Sequence, residues 1–598
     1  MRKTLAAAIC IAVLATGAGC TLGGDDGGKM VFHGLLRDEI RTLDPVNASD
    51  AVSLEVIPCI FETLYQYGYL SDTYTAFPLL AVDMPKLSPD RLTVTIPLKR
   101  GVRFHDDDAF KETHGLGREL RAQDFIYGFK RHALSELNSQ GWWIFDGKIV
   151  GFNAFREKIQ HSPASETATA FAEDIEGLKA LDDYTLQIKL TRPYPQLLHL
   201  LSLPFTAPIA HEVAETYGNQ NSNMTEHPIG TGPFVLKHWN RGYKVTLERN
   251  PTYHPDFYPS NGGLEFRKQG MFADAGKPLP FLDKIVWEVI KEDQPAWLRF
   301  LKGSSDLTTI PKDNFSQAIT NQVNLTPELS AKGIRLNMET GVRLFYVSFN
   351  LRDHLLGKNK YLRQAMSAAI DRDRWISLFT NGTGKKAVNA LPPGVADRPQ
   401  DSQIKYDFNL IQAKELMKAA GFPEGKGLPA ISFDMRGADA LNHQLGDFFT
   451  QQFAAIGIKL NVIYNSFPVY LLKLKKSATQ ISYGGWGMDY PDAENIFQLL
   501  YGPNHSPGAN DSNFNNPEMN KLYEKMSEME SGPARATLIR RMDSILQEEC
   551  PWALGYYFAD YRLSQPWLLN YRPSEIVANK YKYLRINRDI KKRYLSWN

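Results

Sequence analysis

Charge of either sign is not in excess in this chain: 68 basic residues face 66 acidic ones, a formal net charge of +2. Without a clustered basic face there is no electrostatic footprint for nucleic acid, and no polybasic patch for an anionic bilayer. Cysteine is scarce. The four present, Cys10, Cys20, Cys59 and Cys550, include no pair at zinc-ligand spacing. Catalytic signatures are missing as well, with neither His-Glu-x-x-His nor a Gly-x-Ser-x-Gly elbow. Two look-alikes fail. Gly382-Thr383-Gly384-Lys385 is followed by Lys386 where a phosphate loop needs Ser or Thr, and Phe379 occupies the place of its first Gly. Asp106-Asp107-Asp108 lacks the spaced oxygens and closing Glu of a calcium loop, so a solvated turn is expected there. These absences point away from an enzyme, a metal protein or a cofactor.

Long apolar runs are missing too, with one near-exception at the N-terminus. Arg2 and Lys3 precede an apolar run over residues 4–15, too short to span a bilayer comfortably. Thr16, Gly17, Ala18 and Gly19 follow, then Cys20. The pattern resembles a bacterial lipoprotein signal, although Gly17 stands where a Leu-like residue is usual. The resemblance implies a signal over residues 1–20, lipidation of Cys20, and a Gly-rich flexible tether over 21–29. The plainer reading is a cleaved signal with Cys20 incidental. Loss of Arg2 and Lys3 leaves the remainder electrically balanced. Export places Cys59 and Cys550 in an oxidising compartment, where they either pair or stay as separate buried thiols.

What is present is an alternation of strands and helices. Leu92, Val94 and Ile96 alternate with polar residues in a half-buried strand over 91–98, and residues 184–190 repeat the pattern. A helix is expected over 124–137, carrying Phe125 and Phe129. Residues 409–420 read as a second helix, stopped by Gly421-Phe422-Pro423. The clearest unit begins with a short strand at 431–435. Leu445, Phe449, Phe453 and Ile456 then share one helix face, Gly457 caps the helix, and Ile458, Leu460 and Val462 alternate as a strand. A crossover of this length predicts a parallel pair. Gly230-Thr231-Gly232-Pro233 opens into a strand, which excludes a dinucleotide fingerprint. Residues 250–280, rich in Pro, Gly and aromatics, read as a long ordered loop.

One segment carries a binding hypothesis. Within residues 484–492, Gly485 and Gly487 flank Trp486 and permit another backbone to approach closely, while Asp489 follows beside Tyr490 and the turn-forming Pro491. A carboxylate closing such a strand suits a ligand ammonium, with the glycine-rich backbone pairing to an extended peptide. Taken alone, an Asp in this position is more often a turn or cap residue.

Several segments together change that balance. Thr42-Leu43-Asp44-Pro45, the run from Leu98 to Asp106, Pro228-Ile229-Gly230-Thr231-Gly232-Pro233, Glu248-Arg249-Asn250-Pro251, Ala368-Ala369-Ile370-Asp371-Arg372 and Tyr490-Pro491-Asp492 occur in one order. In that order they resemble the family-5 extracellular solute-binding proteins, the oligopeptide- and dipeptide-binding components of ABC importers. The resemblance implies an α/β, two-lobed periplasmic-binding-protein fold, class II-like, with the ligand enclosed between lobes. It implies three domains: domain I from 30–62, 224–342 and 559–598, domain II from 63–223 and domain III from 343–558. Asp489 matches the family's ammonium-binding Asp. Trp486, Tyr490, Tyr483, Gly485 and Gly487 form one wall, and Ser49, Asp50 and Ala51 the other. Three departures stand out: Tyr483 replaces a frequent Arg, Gly487 a frequent Cys, and Ala493 a usual Pro. The implied partners are a short peptide and an ABC permease in the cytoplasmic membrane, with a monomer held in the periplasm or on the outer face of the cytoplasmic membrane through Cys20. The alternative keeps the fold for a non-peptide solute: an oligosaccharide, opine or metal chelate.

Overall fold

The computed structural model describes residues 27–218, 223–321 and 323–597. Cys20, the signal over 1–20 and most of the tether lie outside them. Three sheets organise the chain. In the first, Val31–Leu36 pairs in parallel with Lys284–Val289, and Lys244–Arg249 and Phe234–Asn240 extend it antiparallel. The second is antiparallel throughout, in the order Lys86–Leu87, Thr93–Pro97, Thr185–Lys189, Leu178–Asp182. Within Thr93–Pro97, Val94 and Ile96 are buried, as their alternation requires.

The third sheet is mixed. Its order is Leu307–Thr309, Trp552–Ser564, Arg335–Phe349, Ile481–Gly487, Ile431–Met435, Leu460–Tyr464. The two longest strands, Arg335–Phe349 and Trp552–Ser564, pair antiparallel along most of their length, with register shifts between Thr340 and Leu344 and at Phe345–Tyr346. At one end Leu563 packs with Trp297 and Phe300. At the other, Val347 and Ala553 join Trp375, Phe433 and Phe449 in a separate core. A third core runs beneath the first two sheets and takes in Trp567, Tyr581 and Ile586 from the C-terminal segment.

The strand–helix–strand unit forms as its pattern dictates. Ile431–Met435 and Leu460–Tyr464 are parallel neighbours, joined through the helix Ala440–Ala454. The Asp439 side chain accepts from the Asn442 amide at 3.0 Å and caps that helix. Gly457 has φ +83°, and an added Cβ there would stand 2.2 Å from the Glu424 carbonyl oxygen. Only glycine satisfies both demands. Asn409 caps Leu410–Ala419 through the Ile411 and Gln412 amides.

One expectation changes, and the alternative left open for the two cysteines is decided. The helix expected over 124–137 is Ala122–Arg131. His132 ends it because its ring is buried and tied at both nitrogens, Nε2 to the Phe205 carbonyl at 2.9 Å and Nδ1 to Ser139 Oγ at 2.6 Å. Cys59 and Cys550 are free thiols, buried in different cores. Burial pushes both thiols up, Cys550 to about 11.

The 250–280 segment contains one short helix, Leu264–Lys268. Polar clasps to the C-terminal segment hold the rest. Lys582 Nζ, fully buried, sits 2.8 Å from Asp256, and Asn570 Nδ2 donates to Asp274 Oδ2 at 2.8 Å. Removing one member of a buried ion pair strands the other in low dielectric. Asp256→Ala is therefore expected to cost about 3–5 kcal/mol of unfolding free energy, read from urea denaturation with the m-value unchanged; a loss below about 1 kcal/mol would show that water reaches Lys582.

Candidate ligand-binding site

The site is built on Ile481–Gly487. Across its whole length this strand pairs with residues 343–349 of its long neighbour, from Ile481 with Phe349 to Gly487 with Arg343. On its other side it meets Ile431–Met435 only at Ile481 and Ser482. Beyond Ser482 that edge has no strand partner among the described residues. Such an edge presents backbone donors and acceptors to whatever lies beside it. The glycines here serve the fold itself. An added Cβ at Gly484 would meet the Tyr346 ring at 2.5 Å, and one at Gly485 the Phe345 ring at 2.9 Å. Close approach is thus used first by aromatic rings of the neighbouring strand.

Past Gly487 the chain leaves the sheet, and Asp492 caps the helix Ala493–Phe497 by accepting from the Glu494 amide at 2.8 Å. Asn495 on that helix, fully buried, braces the site. Its Oδ1 accepts from Trp486 Nε1 at 2.9 Å and from the Asp489 amide at 3.2 Å, while its Nδ2 donates to Asp489 Oδ2 at 3.2 Å. One amide thereby fixes the indole and the carboxylate together. The other Asp489 oxygen has no hydrogen bond among the described residues. Asp489 is exposed, yet desolvation by surrounding protein raises its carboxyl above the ordinary value, the Asn495 amide offsets part of this, and the Glu494 charge adds to it.

The other expected residues take different places. Tyr483 is buried, with its ring 6.2 Å from that of Phe345 and 6.0 Å from that of Trp375. Tyr490 is 1% exposed. Its ring lies between Trp143 and His199, nearly parallel to both, at 6.2 and 5.9 Å. Its hydroxyl donates to Glu494 and stands 3.4 Å from that of Tyr194. Asp492 receives Arg535 at 2.5 Å, and Arg535 also reaches Asp397 at 3.0 Å. Ser49 and Ala51 are exposed beside the helix Ala51–Ile60. Asp50 Oδ1 caps that helix at the Ser53 amide, 2.8 Å away, and Asp50 Oδ2 is buried without a partner. Among the described residues no hydrogen bond or ion pair joins 49–51 to 483–490.

No group of three or more His, Cys, Asp or Glu among the described residues is placed to hold a metal. Nor is any described helix long and apolar enough to cross a membrane.

The model for bacterial extracellular solute-binding proteins, family 5, matches residues 75–508. The chain belongs to this family. Among curated members, the oligopeptide-binding protein OppA of Bacillus subtilis is 24% identical over 543 residues, covering 90% of this chain and 89% of that protein. Heme-binding protein A of Haemophilus influenzae is 23% identical over 470 residues, covering 78% and 76%. Among solved structures, the ABC transporter-associated periplasmic binding protein DppA from Helicobacter pylori, in complex with peptide STSA, superposes with a TM-score of 0.69 at 22% identity, over 93% of this chain and 98% of that one. This solute-binding protein therefore has the family's two-lobed α/β fold.

Asn495 was not legible as a site residue; nothing in the sequence marks a buried amide six positions after Asp489. An acid whose pKa rises on folding makes the folded state less stable at every pH above that pKa. Asp489→Asn is accordingly expected to hold or raise Tm at neutral pH by differential scanning calorimetry. A fall of more than about 2 °C, on the order of 2–3 kcal/mol for a chain this size, would make Asp489 a structural residue.

Proposed function

We propose that this protein captures short peptides between its lobes and delivers them to an ABC permease, without catalysis. The observation that supports this most is the accessible Asp489 carboxylate, held by Asn495 at the end of a strand whose outer edge has no strand partner beyond Ser482 among the described residues, the Tyr483 carbonyl there accepting from the Tyr470 hydroxyl at 2.8 Å. A peptide adds to that edge as an extended strand, its backbone pairing with Gly485 and Gly487 and its α-ammonium meeting Asp489. Side chains then project into solvated space and are not read closely. Ser49, Asp50 and Ala51 supply the facing wall, and the unpartnered Asp50 Oδ2 is an acceptor kept for the bound state. We take domain I as 30–62, 224–342 and 559–598, domain II as 63–223 and domain III as 343–558, so that the third sheet is shared between domains I and III. The two long strands, which run from the core around Leu563 to the core around Val347, are the hinge.

Closure is the signal a permease reads. Tyr490 lies next to Asp489 in sequence and carries its ring between Trp143 and His199 of the other lobe. Ligand capture and lobe contact thus share one short segment. Lipidation of Cys20 would keep the monomeric protein at the membrane surface.

Native mass spectrometry of signal-less protein from a bacterial periplasm tests the reading. Extra masses that sequence as short peptides support it; a single non-peptide adduct overturns it. Asp489→Ala is expected to lose peptide affinity by about 2–5 kcal/mol in calorimetric titration, and near-normal affinity would remove Asp489 from the site. Affinity should also fall as pH drops through the raised Asp489 pKa, because the protonated carboxyl no longer pairs with an ammonium. Asp489→Asn should abolish that acid limb, and a limb unchanged in this variant would assign it to another group.

A further inference from the structure

The even overall charge conceals a basic patch that the fold assembles. Asn587 Oδ1 accepts from the Ile590 amide at 3.1 Å and caps the helix Arg588–Trp597. Ile590 and Tyr594, four residues apart, turn its inner face to the core beneath the first two sheets, and the Tyr594 ring lies 4.9 Å from that of Trp567. Leu595 lies against Gly303. The outer face carries Arg588, Asp589, Lys592, Arg593 and Ser596, all exposed. Lys302, next to Gly303, is exposed as well. So is Lys29, which follows the Gly28 that Arg588 touches.

Among the described residues none of Lys29, Lys302, Arg588, Lys592 and Arg593 has an ion pair. Asp589 is the one acid of the helix, so five positive charges stand against one negative. Where the chain enters the fold indicates what meets them. Arg588 Nη1 donates to the Gly28 carbonyl, so the chain toward Cys20 leaves from beside this helix. Gly28 is eight residues past Cys20, at most about 29 Å at ~3.6 Å per residue. A lipid on Cys20 therefore enters its bilayer within that distance. Anionic headgroups raise partition about fivefold for each Lys or Arg at the surface. A single lipid chain alone gives only marginal attachment and is commonly paired with basic residues.

We propose that the outer face of Arg588–Trp597 rests on the anionic headgroups of the membrane that holds Cys20. The assignment rests on the lipidation of Cys20 given above. Domain I is then the lobe fixed at the surface, and the lobe carrying Asp489 is the one that swings. Asp25 and Asp26, two acids of the tether, are the rival occupants. Even with both of them on this face it stays positive, and a larger anionic surface is needed to meet it.

The test sediments the mature chain carrying Cys20→Ala with vesicles of phosphatidylcholine, alone or mixed with phosphatidylglycerol. The anionic lipid should raise partition at least about tenfold, and high salt should release the protein because screening shortens the reach of surface charge. Lys592→Glu/Arg593→Glu should lower partition at least about tenfold with Tm unchanged. Lys414→Glu/Lys521→Glu, an equal charge change on exposed lysines of domain III, should leave it within about twofold. Equal partition into both kinds of vesicle, or an equal loss in the two variants, overturns the proposal. Binding that appears only after Asp25→Asn/Asp26→Asn assigns the face to the tether and overturns it too. Mass spectrometry of membrane-expressed wild-type protein reads lipid on Cys20 separately: protein without it overturns the anchor, and the partition of the Cys20→Ala chain still decides the helix.

Discussion

Two strands, Arg335–Phe349 and Trp552–Ser564, run antiparallel between separate cores, and the rest of the molecule is registered against them. Near Leu563 they belong with Trp297 and Phe300, and near Val347 with Trp375 and Phe433. A hydrogen-bonded ladder bends and twists where its register slips; the shift between Thr340 and Leu344 lies between those cores, and the one at Phe345–Tyr346 lies within the second. The same ladder carries Ile481–Gly487 on its flank. The candidate site is thus fixed to the element that joins the two cores.

The short run from Tyr483 to Asp492 divides its labour by side chain. Asp489 and Trp486 are gathered by one buried amide. Tyr490 leaves its own lobe entirely: among the described residues it is the one member of the core beneath the first two sheets that comes from residues 343–558. Asp492 is drawn the other way, into Arg535 and a helix cap. Alternation of direction along an irregular segment lets neighbours in sequence face a ligand, a partner lobe and their own core.

Local order was readable where local chemistry decides it. The parallel pair around the Ala440–Ala454 helix followed from its periodicity, and Gly457 from the need for a left-handed residue. The Asp489 assignment came from resemblance, since an isolated Asp before a turn has a bland reading. What stayed hidden depends on distant segments. His132 ends its helix because Phe205 and Ser139 hold its ring. Gly484 and Gly485 are glycine because Tyr346 and Phe345 lie across them. Tyr490 was expected at a ligand, and its burial between Trp143 and His199 depends on residues some three hundred positions away.

The two buried thiols have a bearing on how the chain survives outside a reducing environment. Cys59 lies in one core and Cys550 in another, and neither forms a disulfide. Nothing covalent protects them; their safety from oxidation is the integrity of the packing around each. Because the cores differ, a thiol-reactive dye would enter each through its own local opening. The chain therefore carries a built-in pair of clocks, one for each core, that time how often that part of the molecule breathes.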